Sequence, residues 1–192
     1  MKQQFRYRTF IRLRNAVLAA LLAALLVGCA AVAPGAGAFT PAAVEPGVPL
    51  FGEFKAKDTL GNEVTNDLFA DYTLTMVNIW ATTCSPCVNE MPELAELNAE
   101  YGEKGFQIVG IVIDVTDAKG RLDEKMLADA LSIIESTGAN YTHIIPTAAM
   151  FGAYLKKVTA VPTTVFLNSK GEPVGKAILG AADKADWAEI IE

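Results

Sequence analysis

Two stretches of the chain are apolar at nearly every position, Thr73–Ala81 (TLTMVNIWA) and Phe106–Asp114 (FQIVGIVID). Neither shows the alternation of a half-exposed strand, so both read as strands buried on two faces. Between them the pattern changes period, and Ser85–Tyr101 reads as a helix stopped by Gly102. A second helix is predicted over Asp123–Ser136, where Met126, Leu127, Ala130, Ile133 and Ile134 recur every three to four residues on one face and Gly138 ends the run. Upstream, FKAKDTLGNEVT alternates around Leu60-Gly61-Asn62 and predicts a β-hairpin, followed by a helical turn at Asn66–Ala70. Downstream come a short strand or extended turn at THIIP, a helix over Ala148–Lys157, and a hairpin made of Thr163–Asn168, the turn SKGE and PVGKAILG. A last helix ends at Ile191, with Asp183 as its N-cap. Strands alternate with helices and antiparallel strands then join one edge. This order predicts an α/β domain with a central mixed sheet, helices on both faces and an N-terminal β-hairpin.

The ends of the chain are organised differently. Lys2, Arg6, Arg8, Arg12 and Arg14 form a basic head without an acid, followed by the apolar run AVLAALLAALLV. That run would be roughly 18 Å long as a helix, against a hydrocarbon core of ~30 Å. Residues 1–28 therefore read as an export signal, and Leu26-Val27-Gly28-Cys29 resembles the bacterial lipobox. The resemblance implies cleavage before Cys29 and a lipid on its side chain. An uncleaved anchor helix running on to Pro34 is the alternative. Either way the body is expected outside the cytoplasm, tethered to a membrane. Residues 29–48 are rich in Ala, Pro and Gly and read as a linker with a span of roughly 25 Å as coil and roughly 55 Å when extended. Residues 49–192 are the length of one domain.

Charge narrows the partners. The chain has 16 basic and 22 acidic residues; without the basic head 11 basic remain against 22 acidic, a net charge of −11. A body this acidic is a poor binder of nucleic acid, and an anionic membrane surface repels it.

The candidate chemistry lies in WATTCSPCVNEMP, Trp80 to Pro92, directly after a buried strand. The chain has three cysteines, Cys29, Cys84 and Cys87, and one histidine, His143. Structural zinc needs four such ligands, so no metal is expected. A structural staple across so short a loop would stabilise little. A redox couple remains. Cys84 is expected at the start of the helix, exposed, with Pro86 in the first turn. Free N–H groups there favour its thiolate, making it the attacking sulfur. Cys87 lies one turn further in as the resolving sulfur. Glu90, three residues on, shares its face and can take the proton that Cys87 must lose. Pro92 is expected to kink the helix. His143, in an apolar segment, reads as structural, and no cofactor is expected.

WATTCSPC resembles the active-site stretch of the thioredoxin superfamily, and AVPTTVFLNSKGE resembles its second mark. There the proline, here Pro162, is cis and faces the disulfide, and the residue before it, here Val161, offers its backbone to the substrate. CSPCVNEMPEL is similar to the C-x-x-C-x-x-E-x-P of the membrane-tethered TlpA/ResA-like branch, which implies a functional role for Glu90. The superfamily's buried Asp on the preceding strand is replaced by Asn78, as in that branch. The resemblance covers Pro49–Ile191 and places Trp80 beside the substrate site. It implies a thioredoxin-like fold, a Cys84–Cys87 disulfide, and thiol–disulfide exchange with client proteins. It further implies a membrane dithiol as electron donor. Clients of cytochrome c apoprotein or methionine sulfoxide reductase type would fit. Thr83 stands where thioredoxin has an aromatic, and the loop DVTDAKGRLDEK is slightly long. A thiol peroxidase of related fold, an oxidant or isomerase, and a binding lipoprotein with a structural disulfide are the rival readings. The peroxiredoxin threonine three residues before the attacking cysteine is absent; Ala81 stands there.

Overall fold

The computed structural model describes residues 47–192. The expected export signal, most of the expected linker and Cys29, the expected lipid site, lie outside the described residues.

Seven strands form one mixed sheet: β1 (Lys55–Asp58), β2 (Glu63–Thr65), β3 (Leu74–Trp80), β4 (Phe106–Val112), β5 (Thr142–Ile145), β6 (Thr163–Leu167) and β7 (Pro173–Leu179). Their order in space is β2-β1-β5-β4-β3-β6-β7. β3, β4 and β5 are parallel neighbours, whereas β1/β2, β1/β5, β3/β6 and β6/β7 pair antiparallel. Every residue of β4 is buried, as its nearly continuous apolar run requires.

Among the described residues four α-helices cover the sheet: α1 (Ser85–Tyr101), α2 (Glu124–Thr137), α3 (Ala148–Ala153) and α4 (Lys184–Ile191). Because β3, β4 and β5 step across the sheet in one direction, their crossovers α1 and α2 lie on the same face. Met91, Leu94 and Leu97 of α1 and Ala130 of α2 pack there with Met76, Trp80, Ile108 and Val112, and Trp187 of α4 joins them. The opposite face buries Val77, Ile79, Val109, Ile111 and Ile144 against Met150 and Phe151 of α3 and against Leu50, Phe51, Phe54 and Phe69. Among the described residues no helix is long and apolar enough to cross a membrane.

Local signals fix the helix ends. Asp123 caps α2 by accepting from the N–H groups of Lys125 and Met126, and Gly138 closes it at φ 69°. Asp183 caps α4 by accepting from Asp186 N. α1 continues through Pro92 as one helix. Of the two readings of THIIP, the strand is the one formed, as β5. One expectation is corrected. The helix expected over Ala148–Lys157 stops at Ala153: Tyr154 leaves helical geometry (φ −140°, ψ −43°) and a 3-10 turn, Leu155–Lys157, follows. Tyr154 and Leu155 are both buried on the apolar face, so packing against the sheet overrides a pattern that alone favours one longer helix.

Candidate active site

The site forms where β3 ends. Its last residue, Trp80, leads through a turn in which Cys84 N donates to Ala81 O, at 3.0 Å, and into α1. Cys84 is the N-cap of that helix, with extended backbone (φ −95°, ψ 94°). This departure from helical geometry lets two residues three apart join: a disulfide links Cys84 to Cys87 with the Cα atoms 5.3 Å apart. Cys84 Sγ also accepts from the backbone N–H of Cys87 at 3.3 Å. Cys84 thus fills the capping role that Ser or Asp usually plays, and an amide donor plus the helix dipole favour negative charge on that sulfur once the disulfide opens.

Cys84 is less accessible than its helix-start position suggested. It is 8% exposed, against 0% for Cys87. The cap folds the Cys84 sulfur back over the first turn, within the cluster that holds Trp80, Ala81 and Cys87. Of the two residues, Cys84 alone keeps any exposed surface.

Glu90 is 4% exposed, next to Asn78 at 0%. Asn78 Nδ2 donates to Glu90 Oε1 at 2.8 Å and approaches Thr164 Oγ1 at 3.3 Å. The other carboxylate oxygen accepts from Ala182 N at 3.4 Å, in the segment that leads into α4. Burial pushes the Glu90 carboxyl above its ordinary range; Asn78, the Ala182 amide and the indole of Trp187 hold it down in part, and nearby Glu93 raises it further. The Trp187 indole N–H makes no hydrogen bond of good geometry, and Asn78 Oδ1 is likewise buried without a partner. A carboxyl so placed accepts a proton from a neighbouring thiol more readily than a solvated glutamate does.

Strand register brings the proline to the site. Ile79 pairs with Thr163 across the antiparallel β3/β6 ladder, so Pro162 and Val161 reach the end of β3 from which the Cys84 turn departs. The Val161–Pro162 peptide bond is cis. Pro162 is buried, Val161 half-buried. Trp80, expected beside the substrate site with packing as most of its role, has no exposed surface. Its Nε1 donates to His143 Nδ1 at 3.1 Å, and Nε2 of the same imidazole lies 3.0 Å from Ala139 O. Trp80 is therefore a packing residue here. His143 accepts at one nitrogen and donates at the other; burial lowers its pKa to about 4, so it is neutral at physiological pH. Its room comes from β4, where a Cβ on Gly110 would stand 2.1 Å from His143 Nδ1.

Two residues that sequence reasoning missed hold the cysteine turn. Asp114, just beyond β4, accepts with Oδ2 from Thr82 N at 2.9 Å and from Thr82 Oγ1 at 2.7 Å. The long loop after β4 is thus fastened to the turn that carries Cys84. An Asp directly after a buried strand was the available signal. Among the described residues no group of three or more His, Cys, Asp and Glu side chains is placed to hold a metal ion.

Comparison with known proteins agrees with this geometry. A family model described as Redoxin matches residues 38–188. Thiol-disulfide oxidoreductase ResA of Oceanobacillus iheyensis is 32% identical over 100 residues, which cover 50% of this chain and 45% of that protein. The chain thus spans about half the length of the relatives it matches. Among solved structures, a thiol:disulfide interchange protein of the thioredoxin family from Chlorobium tepidum superposes with a TM-score of 0.61 at 23% identity, covering 78% of this chain and 95% of that one. StoA from Bacillus subtilis superposes at 0.55 and 18% identity, over 77% of this chain and 100% of its own. These likenesses show a thioredoxin-like fold.

Proposed function

The chain belongs to the Redoxin family, and from that premise we propose that it is an extracytoplasmic, membrane-anchored thiol–disulfide oxidoreductase that reduces disulfides of specific client proteins. One observation carries the reading: a disulfide joins Cys84, the helix N-cap whose sulfur accepts a backbone N–H, to a fully buried Cys87 one turn from a buried carboxyl. The name of the ResA relative supports the same activity.

In the reduced protein the Cys84 thiolate attacks one sulfur of a client disulfide. That S–S bond breaks, the first client thiolate leaves, and a mixed disulfide forms. Cys87 then gives its proton to Glu90. Its thiolate attacks Cys84 Sγ, closes the Cys84–Cys87 bond and releases the second client thiolate, which is protonated from Glu90 or water. Two electrons have passed to the client. A membrane dithiol donor restores the pair. The client chain lies along the backbone of Val161 beside Pro162, and a lipid on Cys29 keeps the domain near its donor. Cytochrome c apoproteins, with their haem-attachment cysteines, and an extracellular methionine sulfoxide reductase are fitting clients.

The direction of electron flow rests on Ser85-Pro86 between the cysteines, which adds no positive charge beside the attacking sulfur. Strong oxidants stabilise their reduced form. Equilibration of the protein with glutathione redox buffers is the test. A potential nearer about −270 mV than about −120 mV is expected, and a value above roughly −180 mV makes the protein an oxidant or isomerase. Mass spectrometry of the native protein checks the anchor: an unmodified Cys29 refutes it.

A further inference from the structure

We propose that Asn78 is a positioning residue that serves Glu90 in both of its protonation states, donating to the carboxylate through Nδ2 and accepting from the carboxylic acid through Oδ1 after rotation of its side-chain amide. The inference rests on the reading of Cys84, Cys87 and Glu90 given above.

The geometry that motivates it is a mismatch in a fully buried place. Asn78 lies at the centre of the sheet, between Gly110 on β4 and Thr164 on β6 in the strand register, and has no exposed surface. Its Nδ2 lies 2.8 Å from Glu90 Oε1 and 3.3 Å from Thr164 Oγ1, while its Oδ1 has no partner. A buried acceptor without a partner is uncommon, and here it leaves no hydrogen bond to hold the amide in one orientation. The arrangement suits an ionised Glu90, which can only accept. Once Glu90 takes the Cys87 proton it carries an O–H that needs an acceptor, and Nδ2 cannot provide one. Half a turn about the Asn78 Cβ–Cγ bond exchanges the two ends of the amide. Oδ1 then receives the Glu90 O–H. Thr164, whose hydroxyl both accepts and donates, can turn its own hydrogen toward Oδ1. Of the two groups hydrogen-bonded to the Glu90 carboxylate, Asn78 and the Ala182 amide, only Asn78 can reverse in this way. The Ala182 amide and the Trp187 indole are donors only, and Glu93 on α1 is a second acid. Tyr141, before β5, is near enough for the Glu90 charge to disfavour its ionisation, but its buried hydroxyl makes no hydrogen bond to Glu90.

An amide at this position therefore differs from a carboxyl or an alkyl group. An ionised Asp would offer only acceptors and would hold Glu90 protonated. A Leu would serve neither state. A Ser would serve both, from a shorter side chain.

The test follows reduction of dithiobis-nitrobenzoate by the full chain, with Cys29 replaced by serine so that only the pair reacts. The reduced protein releases one nitrothiophenolate when Cys84 attacks and a second when Cys87 resolves the mixed disulfide, so stopped-flow absorbance separates the two steps. Asn78→Leu is expected to slow the second release at least about tenfold while leaving the first unchanged. Asn78→Asp is expected to move the pH midpoint of the second release upward by about one unit or more. Asn78→Ser should recover part of the rate that Asn78→Leu loses. If Asn78→Leu does not fold, the midpoint in Asn78→Asp and the rate in Asn78→Ser decide the matter. A second release with wild-type rate and midpoint in the Asn78 variants, alongside a slowed Glu90→Gln, overturns the role of Asn78 alone. An unchanged second release in Glu90→Gln overturns the role of Glu90 as well, and with it this inference.

Discussion

Val77, Asn78 and Ile79 are consecutive residues of one strand, and none is exposed to solvent. They nevertheless face two different interiors. Val77 and Ile79 point into a layer formed with Val109, Ile111, Ile144, Val165 and Leu167, a dry, largely apolar packing whose buried polar pair, Gln107 and Thr75, is hydrogen-bonded. Asn78 points the other way, into the layer under α1, where Glu90, Thr164, His143 and Tyr141 are also buried. In that layer Asn78 Oδ1, Tyr141 Oη and Trp187 Nε1 are left without partners. A protein selected for stability alone has little reason to accept such groups. We read their concentration on the face that carries the disulfide as stability given up for the proposed chemistry, while the opposite face supplies the rigidity that keeps the site in place.

Replacements that should affect only one of these faces test the contrast. The largest effect is expected from Cys87→Ser: Cys84 still attacks, the mixed disulfide accumulates, and turnover with any disulfide substrate falls to background. Mass spectrometry of the trapped adduct reads this directly, and sustained turnover would remove Cys87 from the mechanism. On the dry face, Ile111→Ala should cost about 2–5 kcal/mol of unfolding free energy through lost burial and the cavity left behind. The rate of disulfide exchange in the folded fraction should stay within twofold or so of wild type. Denaturant titration beside stopped-flow kinetics checks both halves, and a kinetic defect as large as the stability defect would show that the two faces are not separable.

The polar face should also govern how stability depends on pH, with two groups acting in opposite directions. His143 titrates near pH 4 when folded and near 6.5 when unfolded, so the unfolded chain binds more protons in between and stability falls as pH drops through that window. The loss should reach about 3 kcal/mol and be absent from His143→Gln, measured by denaturant titration across the acid range. Glu90 is held above its unfolded value of 4.5, so its contribution is fully present below that pH and is lost as pH rises through the raised value; Glu90→Gln should flatten that limb. The smallest effect is expected at the edge of the site. Asp114→Asn keeps a side-chain oxygen for Thr82 but loses the charge, and should slow attack by Cys84 less than about tenfold while sparing resolution by Cys87. Equal slowing of both steps would show that the loop after β4 supports α1 as a whole.

Much of this molecule was legible in its residues because the deciding forces act locally. The largely apolar runs of β3 and β4 require burial on two faces. Asp123, Asp183 and Gly138 end helices through hydrogen bonds and backbone angles set within a few positions. Cys84 and Cys87 are one helical turn apart, next to a proline that a first turn tolerates, which is enough to place the pair at a helix start. The spacing also put Glu90 on the Cys87 side of α1. Only the tertiary structure decided what that carboxyl meets. Asn78 comes from the strand before, Ala182 and Trp187 from the far end of the chain, and sheet register and helix docking bring them together. The same holds for Asp114 at Thr82, for His143 in the space left by Gly110, and for the break at Tyr154. Side chains far apart in sequence meet according to strand order and layer packing, and no local propensity carries that information.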